Sequence, residues 1–171
     1  MIHECWRCAE KPEPITFSYA PGDLLKEAEK RTSYIGKMRS SDTSADFIDR
    51  MALTEGEGFL SDEFLKDAME QVYNWVRAFG RTIENACVID EETGNIVYTL
   101  QPEVWWDKNA YSRVDRNLKE ALVNFIIYRW FEFVNSDEAQ AYFDKYENYA
   151  HEAQLGMNAE EFIIQRRYNT F

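Results

Sequence analysis

Between Ala121 and Val134 the chain reads Ala-Leu-Val-Asn-Phe-Ile-Ile-Tyr-Arg-Trp-Phe-Glu-Phe-Val, an apolar run of fourteen residues interrupted only by Asn124, Arg129 and Glu132. A helix that is apolar on every side cannot lie on a water-facing surface. Ten of these side chains are large. Each contributes roughly 1.5–3 kcal/mol on full burial, against about 1.5 kcal/mol per residue for ordering the chain. The segment is therefore stable only if nearly every large side chain leaves water. It is also shorter than the roughly 20 residues a membrane span requires. Two arrangements remain: a helix central to a core, or one half in the core and half in a subunit contact.

Other parts of the chain supply faces to cover it. Leu65, Ala68, Met69, Val72, Trp75, Val76 and Phe79 recur at helical spacing from Ser61 to Gly80, which predicts an amphipathic helix. Leu60 and Leu65 are spaced as a hydrophobic staple around Ser61, and Gly80 stands where a helix stops, with Arg77 and Arg81 suited to its negative end. Upstream, Asp23 reads as the N-cap of a helix with Leu24, Leu25, Ala28, Thr32 and Ile35 on one face and Gly36 as its stop. Residues 37–60 have linker composition at Ser40–Ser44, then an anchored turn at Phe47-Ile48 and Met51–Leu53. Ser112 is the expected cap of the long helix. Ser136, Asp137 and Glu138 open a further helix with a tyrosine-rich face that Gly156 closes, and Asn158 with Glu161 marks a short last one.

Cys87–Ile89 and Ile96–Leu100 are rich in strand formers, and Asp90-Glu91-Glu92-Thr93-Gly94-Asn95 lies between them. This is a β-hairpin (about 86–101) with an acidic tip at Asp90, Glu91 and Glu92, turned at Gly94-Asn95, where positive φ is available. A two-stranded ribbon is marginal alone, so it must rest on the helices or pair with another chain. Trp105 and Trp106 follow outside any periodic pattern, fit to fill a corner of the core or to anchor an interface.

Residues 1–22 are expected as a flexible arm, broken by Pro12, Pro14 and Pro21, although Ile15–Tyr19 alternates as a short strand would. The arm carries His3, Cys5 and Cys8. Cys-x-x-Cys supplies half a zinc site and His3 a third ligand. No fourth ligand is evident, so the expectation is two reduced thiols and no metal. With 171 residues the chain fits one domain, residues 23–171. Its net charge of −12 disfavours a surface that grips nucleic acid or an anionic membrane. The three cysteines and the absence of a secretory pattern suggest a reducing cytoplasm.

Catalytic signatures are not apparent. The two histidines, His3 and His151, lie far apart, and no nucleophile elbow, P-loop or dinucleotide fingerprint occurs. Glu152 follows His151 directly and so faces another side of the helix. Paired carboxylates such as Glu91/Glu92 and Glu160/Glu161 are expected by chance among 31 acidic residues. The expectation is a protein without catalytic residues or cofactor.

The order of parts carries a resemblance. Phe59–Ala68 runs through to Ala78-Phe-Gly-Arg81, an acidic-tipped hairpin follows, and Leu118–Glu132 forms a long apolar helix ending in aromatics and Arg. Over roughly residues 23–135 this resembles the head–tail connector (head-completion adaptor) proteins of tailed phages and prophages. Ala28–Gly36 looks like the first helix of such proteins from Bacteroides-type prophages. The Cys-bearing arm and the tyrosine-rich C-terminal helices depart from compact members of that family. The resemblance implies a non-enzymatic ring subunit between portal and tail, cytoplasmic before assembly and part of the virion after it. Its partners would be copies of itself and the portal and tail-completion proteins, with DNA passing through an acidic lumen without specific binding. A different class is a cytosolic helical adaptor or regulator that binds one protein partner through an aromatic face.

The expected architecture is mainly α: a helical bundle around a central helix (about 112–135) with one β-hairpin. Its candidate interface comprises Trp105, Trp106, Tyr128, Trp130, Phe131, Tyr142, Tyr146 and Tyr149.

Overall fold

The computed structural model, which describes residues 12–39, Leu53 and 58–160, buries seven consecutive residues from Ala121 to Ile127. They lie in a helix running from Tyr111 to Val134, and all-round burial needs neighbours on every side. In chain order the elements are β1 (Ile15–Tyr19), α1 (Pro21–Arg39), α2 (Gly58–Gly80), β2 (Cys87–Ile89), β3 (Ile96–Leu100), a 3-10 turn (Lys108–Ala110), the central α3 (Tyr111–Val134) and α4 (Ser136–Met157). Helices α1, α2 and α4 all pack on α3, and α2 also meets α4. The molecule is a helical bundle with a β-hairpin.

A single residue, Asn135, separates α3 from α4. Its extended backbone turns the chain, and its side chain caps α4 by accepting the Asp137 amide. The two helices then run antiparallel. Phe131 meets Tyr142 with ring centroids 5.5 Å apart, Phe125 meets Tyr146 at 4.9 Å, and Gly156 lies against Val114. A Cβ at Gly156 would stand 2.6 Å from Val114 Cγ2, so this crossing requires glycine.

The hairpin is the middle and one edge of a three-stranded antiparallel sheet, ordered β1-β3-β2. Ile15 pairs with Leu100 and Tyr19 with Ile96. Residues 15–22 of the arm expected over 1–22 are instead built into β1 and the start of α1, because alternation at Ile15–Tyr19 favours a strand with a ready edge to join. Tyr98, in the central strand, is fully buried on α2, where its hydroxyl donates to the Met69 carbonyl at 3.0 Å. On β1, the Tyr19 hydroxyl donates to the Asp115 carboxylate of α3 at 3.0 Å. Burial, reinforced by Asp115, raises the Tyr19 phenol far above its ordinary pKa.

Helix boundaries shift from those expected. Helix α1 begins at Pro21, two residues before Asp23, since a proline lacking an amide hydrogen suits a first turn. It passes through Gly36 to Arg39. Helix α2 begins at Gly58, so Ser61 is not its cap. Asp107, not Ser112, is the capping side chain before α3; it accepts the Asn109 amide at the start of the 3-10 turn. Gly156 sits within α4, which ends one residue later at Met157. His3 with the two thiols expected at Cys5 and Cys8, the linker composition at 40–44, the anchor at Phe47-Ile48, the Leu60 staple and the last helix beyond Glu160 fall outside the described side chains. Of that anchored turn, Leu53 is described: it is buried and its amide donates to Thr32 Oγ1 at 3.1 Å.

Candidate functional site

The expected aromatic interface divides once the bundle forms. Trp106, Trp130, Phe131, Tyr142 and Tyr146 are buried within one chain, and this corrects their assignment to an interface. The physical reason is the one-residue connection at Asn135, which folds the aromatic face of α4 onto the aromatic end of α3. Tyr128 and Tyr149 are partly covered at the margin of the core. The polar ends of Trp106 and Tyr146 find partners. Trp106 Nε1 donates to the Gly156 carbonyl at 2.9 Å. Trp75 Nε1 donates to the Tyr146 oxygen at 3.0 Å, and that hydroxyl donates onward to the Gln71 carbonyl at 3.2 Å. Burial raises the Tyr142 and Tyr146 phenols above their ordinary pKa.

Trp105 remains half exposed, so of the adjacent tryptophans one fills the core and the other faces water. The most exposed large apolar side chain described is Phe133, at 67%. Its ring stacks on buried Phe64 with centroids 6.0 Å apart. Arg129 lies 5.7 Å over that same Phe64 ring and pairs with Asp67 and Glu132 at 3.2 and 2.7 Å. Phe133 was read as part of the aromatic end of the long helix, but Phe64 was not singled out by sequence reasoning. The i, i+4 relation of Phe64 to Ala68 extends the apolar stripe by one turn and would have found Phe64.

The acidic tip is built as expected. Gly94 takes φ 71° and donates its amide to the Asp90 carbonyl at 2.8 Å. The Asp90 carboxylate accepts the Thr93 hydroxyl at 2.7 Å and the Glu92 amide at 3.1 Å. These two bonds, the hydroxyl first, hold its carboxyl below the usual carboxylate range. Asp90 is thus committed to the turn. Glu91 and Glu92 are exposed and their carboxylates have no partner among the described residues.

Beside the hairpin base lies an open groove of about 590 Å³, between the last turns of α2 and the start of β2. Glu70, Tyr73, Asn74, Arg77 and Arg81 line it from the helix side and Cys87 from the strand. Its helix wall follows from spacing: residues 70, 74 and 77 form one solvent-facing stripe opposite the buried Leu65, Ala68, Val72 and Val76, and Arg81 joins them from the turn just past the end of α2. Burial, with Glu70 adding to it, pushes the Cys87 thiol up to about 12. Arg77 and Arg81 form no ion pair among the described residues. Among those residues, no group of three or more His, Cys, Asp or Glu side chains has the geometry to hold a metal. No described helix is long and apolar enough to cross a membrane.

The chain matches no family model, no curated protein and no solved structure.

Proposed function

We propose that this chain is a non-enzymatic structural subunit of the head–tail connector type, one that joins copies of itself into a ring between a portal and a tail. It would reside in the host cytoplasm before assembly and in the virion afterwards. The observation that carries the reading is the order of parts over residues 23–135, an amphipathic helix, an acidic-tipped hairpin and a long apolar helix with an aromatic end. Two structural features are compatible with it. The hairpin leaves its two glutamates exposed at the tip, available to a neighbouring copy. The net charge of −12 suits a lumen along which DNA slides without being held.

A second reading is an adaptor working through an aromatic face; five of the eight residues expected at the candidate interface are buried within one chain, which leaves a partner of either kind Trp105, Tyr128 and Tyr149 of that set. Native mass spectrometry and negative-stain microscopy test the proposal, on the protein alone and mixed with any portal protein that its gene neighbourhood encodes. Closed rings are the expected result. A protein that stays monomeric in both conditions, or that is encoded within a metabolic operon without portal, capsid or tail genes, overturns it.

A further inference from the structure

The groove beside the hairpin base is a cationic recess in a strongly acidic protein. Arg77, in the last turn of α2, and Arg81, in the turn just past its end, both line this groove. Both are exposed and neither has an ion-pair partner among the described residues. Between copies that each carry −12, long-range repulsion opposes association. A lasting contact then needs a local spot where charge is complementary. The same chain carries the complement. Glu91 and Glu92 are adjacent, exposed and unpartnered, on a turn whose shape Asp90, Thr93 and Gly94 fix internally.

Among the described residues no ion pair joins a chain's own tip to its own groove. Cys87 lines the groove and Asp90 opens the turn, and β2 runs extended between them at about 3.3 Å per residue. We infer that the Arg77/Arg81 groove receives the Glu91/Glu92 tip of a second copy of this chain. Glu70, at the groove's other end, repels the tip and sets which end accepts it. The contact joins two different patches, the kind that propagates from copy to copy. It rests on the reading that copies of this chain contact one another.

The test uses the full chain and two charge-reversed forms, R77E/R81E and E91R/E92R, all four positions being exposed. Sedimentation equilibrium should show the wild-type chain self-associating, more weakly as salt rises from about 50 to 500 mM, because surface charges are screened. Each variant alone should associate at least about tenfold more weakly. An equimolar mixture of the two should recover association, since every tip then meets a groove of opposite charge. Wild-type chain that remains monomeric up to about 1 mM overturns the inference. Variants that associate as the wild type does, or a mixture without recovery, overturn this contact while leaving a ring subunit intact. Inorganic phosphate titrated calorimetrically into wild type and R77E/R81E covers the remaining case. Phosphate binding that disappears in the variant while self-association persists identifies a small-anion site and overturns the contact.

Discussion

The Arg31 guanidinium and the Glu120 carboxylate meet fork to fork between α1 and α3, at 2.7 and 2.9 Å. Arg31 Nε also donates to Glu27 at 2.9 Å, so one cation fastens the first helix to the central one while pairing within its own. The Arg31 hydrogen bond is the main cause holding the Glu120 carboxyl below its ordinary pKa. A carboxyl whose pKa is lower when folded contributes stability above its unfolded pKa and loses it as pH falls through the folded one. Glu120→Gln should therefore cost about 1 kcal/mol at neutral pH, after allowance for solvent screening of a partly exposed pair. The difference from the wild type should shrink as the solution is acidified below the normal carboxylate range. Urea unfolding at neutral and acidic pH checks both the size and the sign.

Gly156→Ala drives a methyl group into Val114 and should destabilise by about 1–3 kcal/mol. Val114→Ala alone also destabilises, by opening space. The two changes together should cost less than their sum, because the smaller side chain at 114 makes room for the methyl. A double-mutant cycle by chemical denaturation gives the coupling directly. Strict additivity would place the cost of the glycine change elsewhere.

Phe125 and Phe133 are both aromatic residues of α3, yet they should respond in opposite ways. Phe125 is buried edge-on between Tyr128 and Tyr146, with ring centroids 5.5 and 4.9 Å away. Phe125→Ala should cost about 3–5 kcal/mol. Phe133 is two-thirds exposed, and Phe133→Ala should move stability by about 0.5 kcal/mol or less. Thermal and urea unfolding of the two variants side by side separates core from surface along one helix.

The Cys87 thiol should be sluggish toward thiol reagents. Its pKa, pushed up to about 12 by burial and then by Glu70, leaves almost no thiolate near neutral pH. In a Cys5→Ser/Cys8→Ser form, alkylation followed by mass spectrometry should be slow at pH 7–8. It should accelerate strongly once urea unfolds the chain.

Much of the bundle was readable in advance because its strongest signals concern burial. An apolar run over Ala121–Ile127, broken only by Asn124, leaves a central helix or one shared with a subunit contact, and the stripe from Leu65 to Phe79 settles which side of α2 turns inward. The hairpin was legible for another reason: Gly94 offers the left-handed backbone a tight turn needs, and strand formers flank it. Gly156 misled because glycine usually ends helices, whereas here Val114 demands the missing side chain from within one.

Site residues were less legible. Tyr142 and Tyr146 follow the same i, i+4 rhythm whether they cover their own core or meet a partner. Periodicity tells which face is apolar, not what lies on it. The one-residue connection at Asn135 decided that question. The Arg31–Glu120 pair joins positions 89 residues apart, and charges on solvent-facing turns carry no label for such distant partners. Arg77 and Arg81 were read as partners of a helix end. Their groove appears only when β2 is laid beside that end.

The sheet order has a consequence for how the chain acquires its shape. Strand β3 finds β2 across a six-residue turn, but Ile15 waits for Leu100, 85 positions later. Closing so long a loop costs more entropy than closing the hairpin, and distant pairing slows folding. During synthesis, β1 therefore remains an unsatisfied edge until nearly the whole hairpin has emerged. In that interval its alternating Ile15, Phe17 and Tyr19 are open to any strand nearby, so the newborn chain is most vulnerable to wrong pairing at β1.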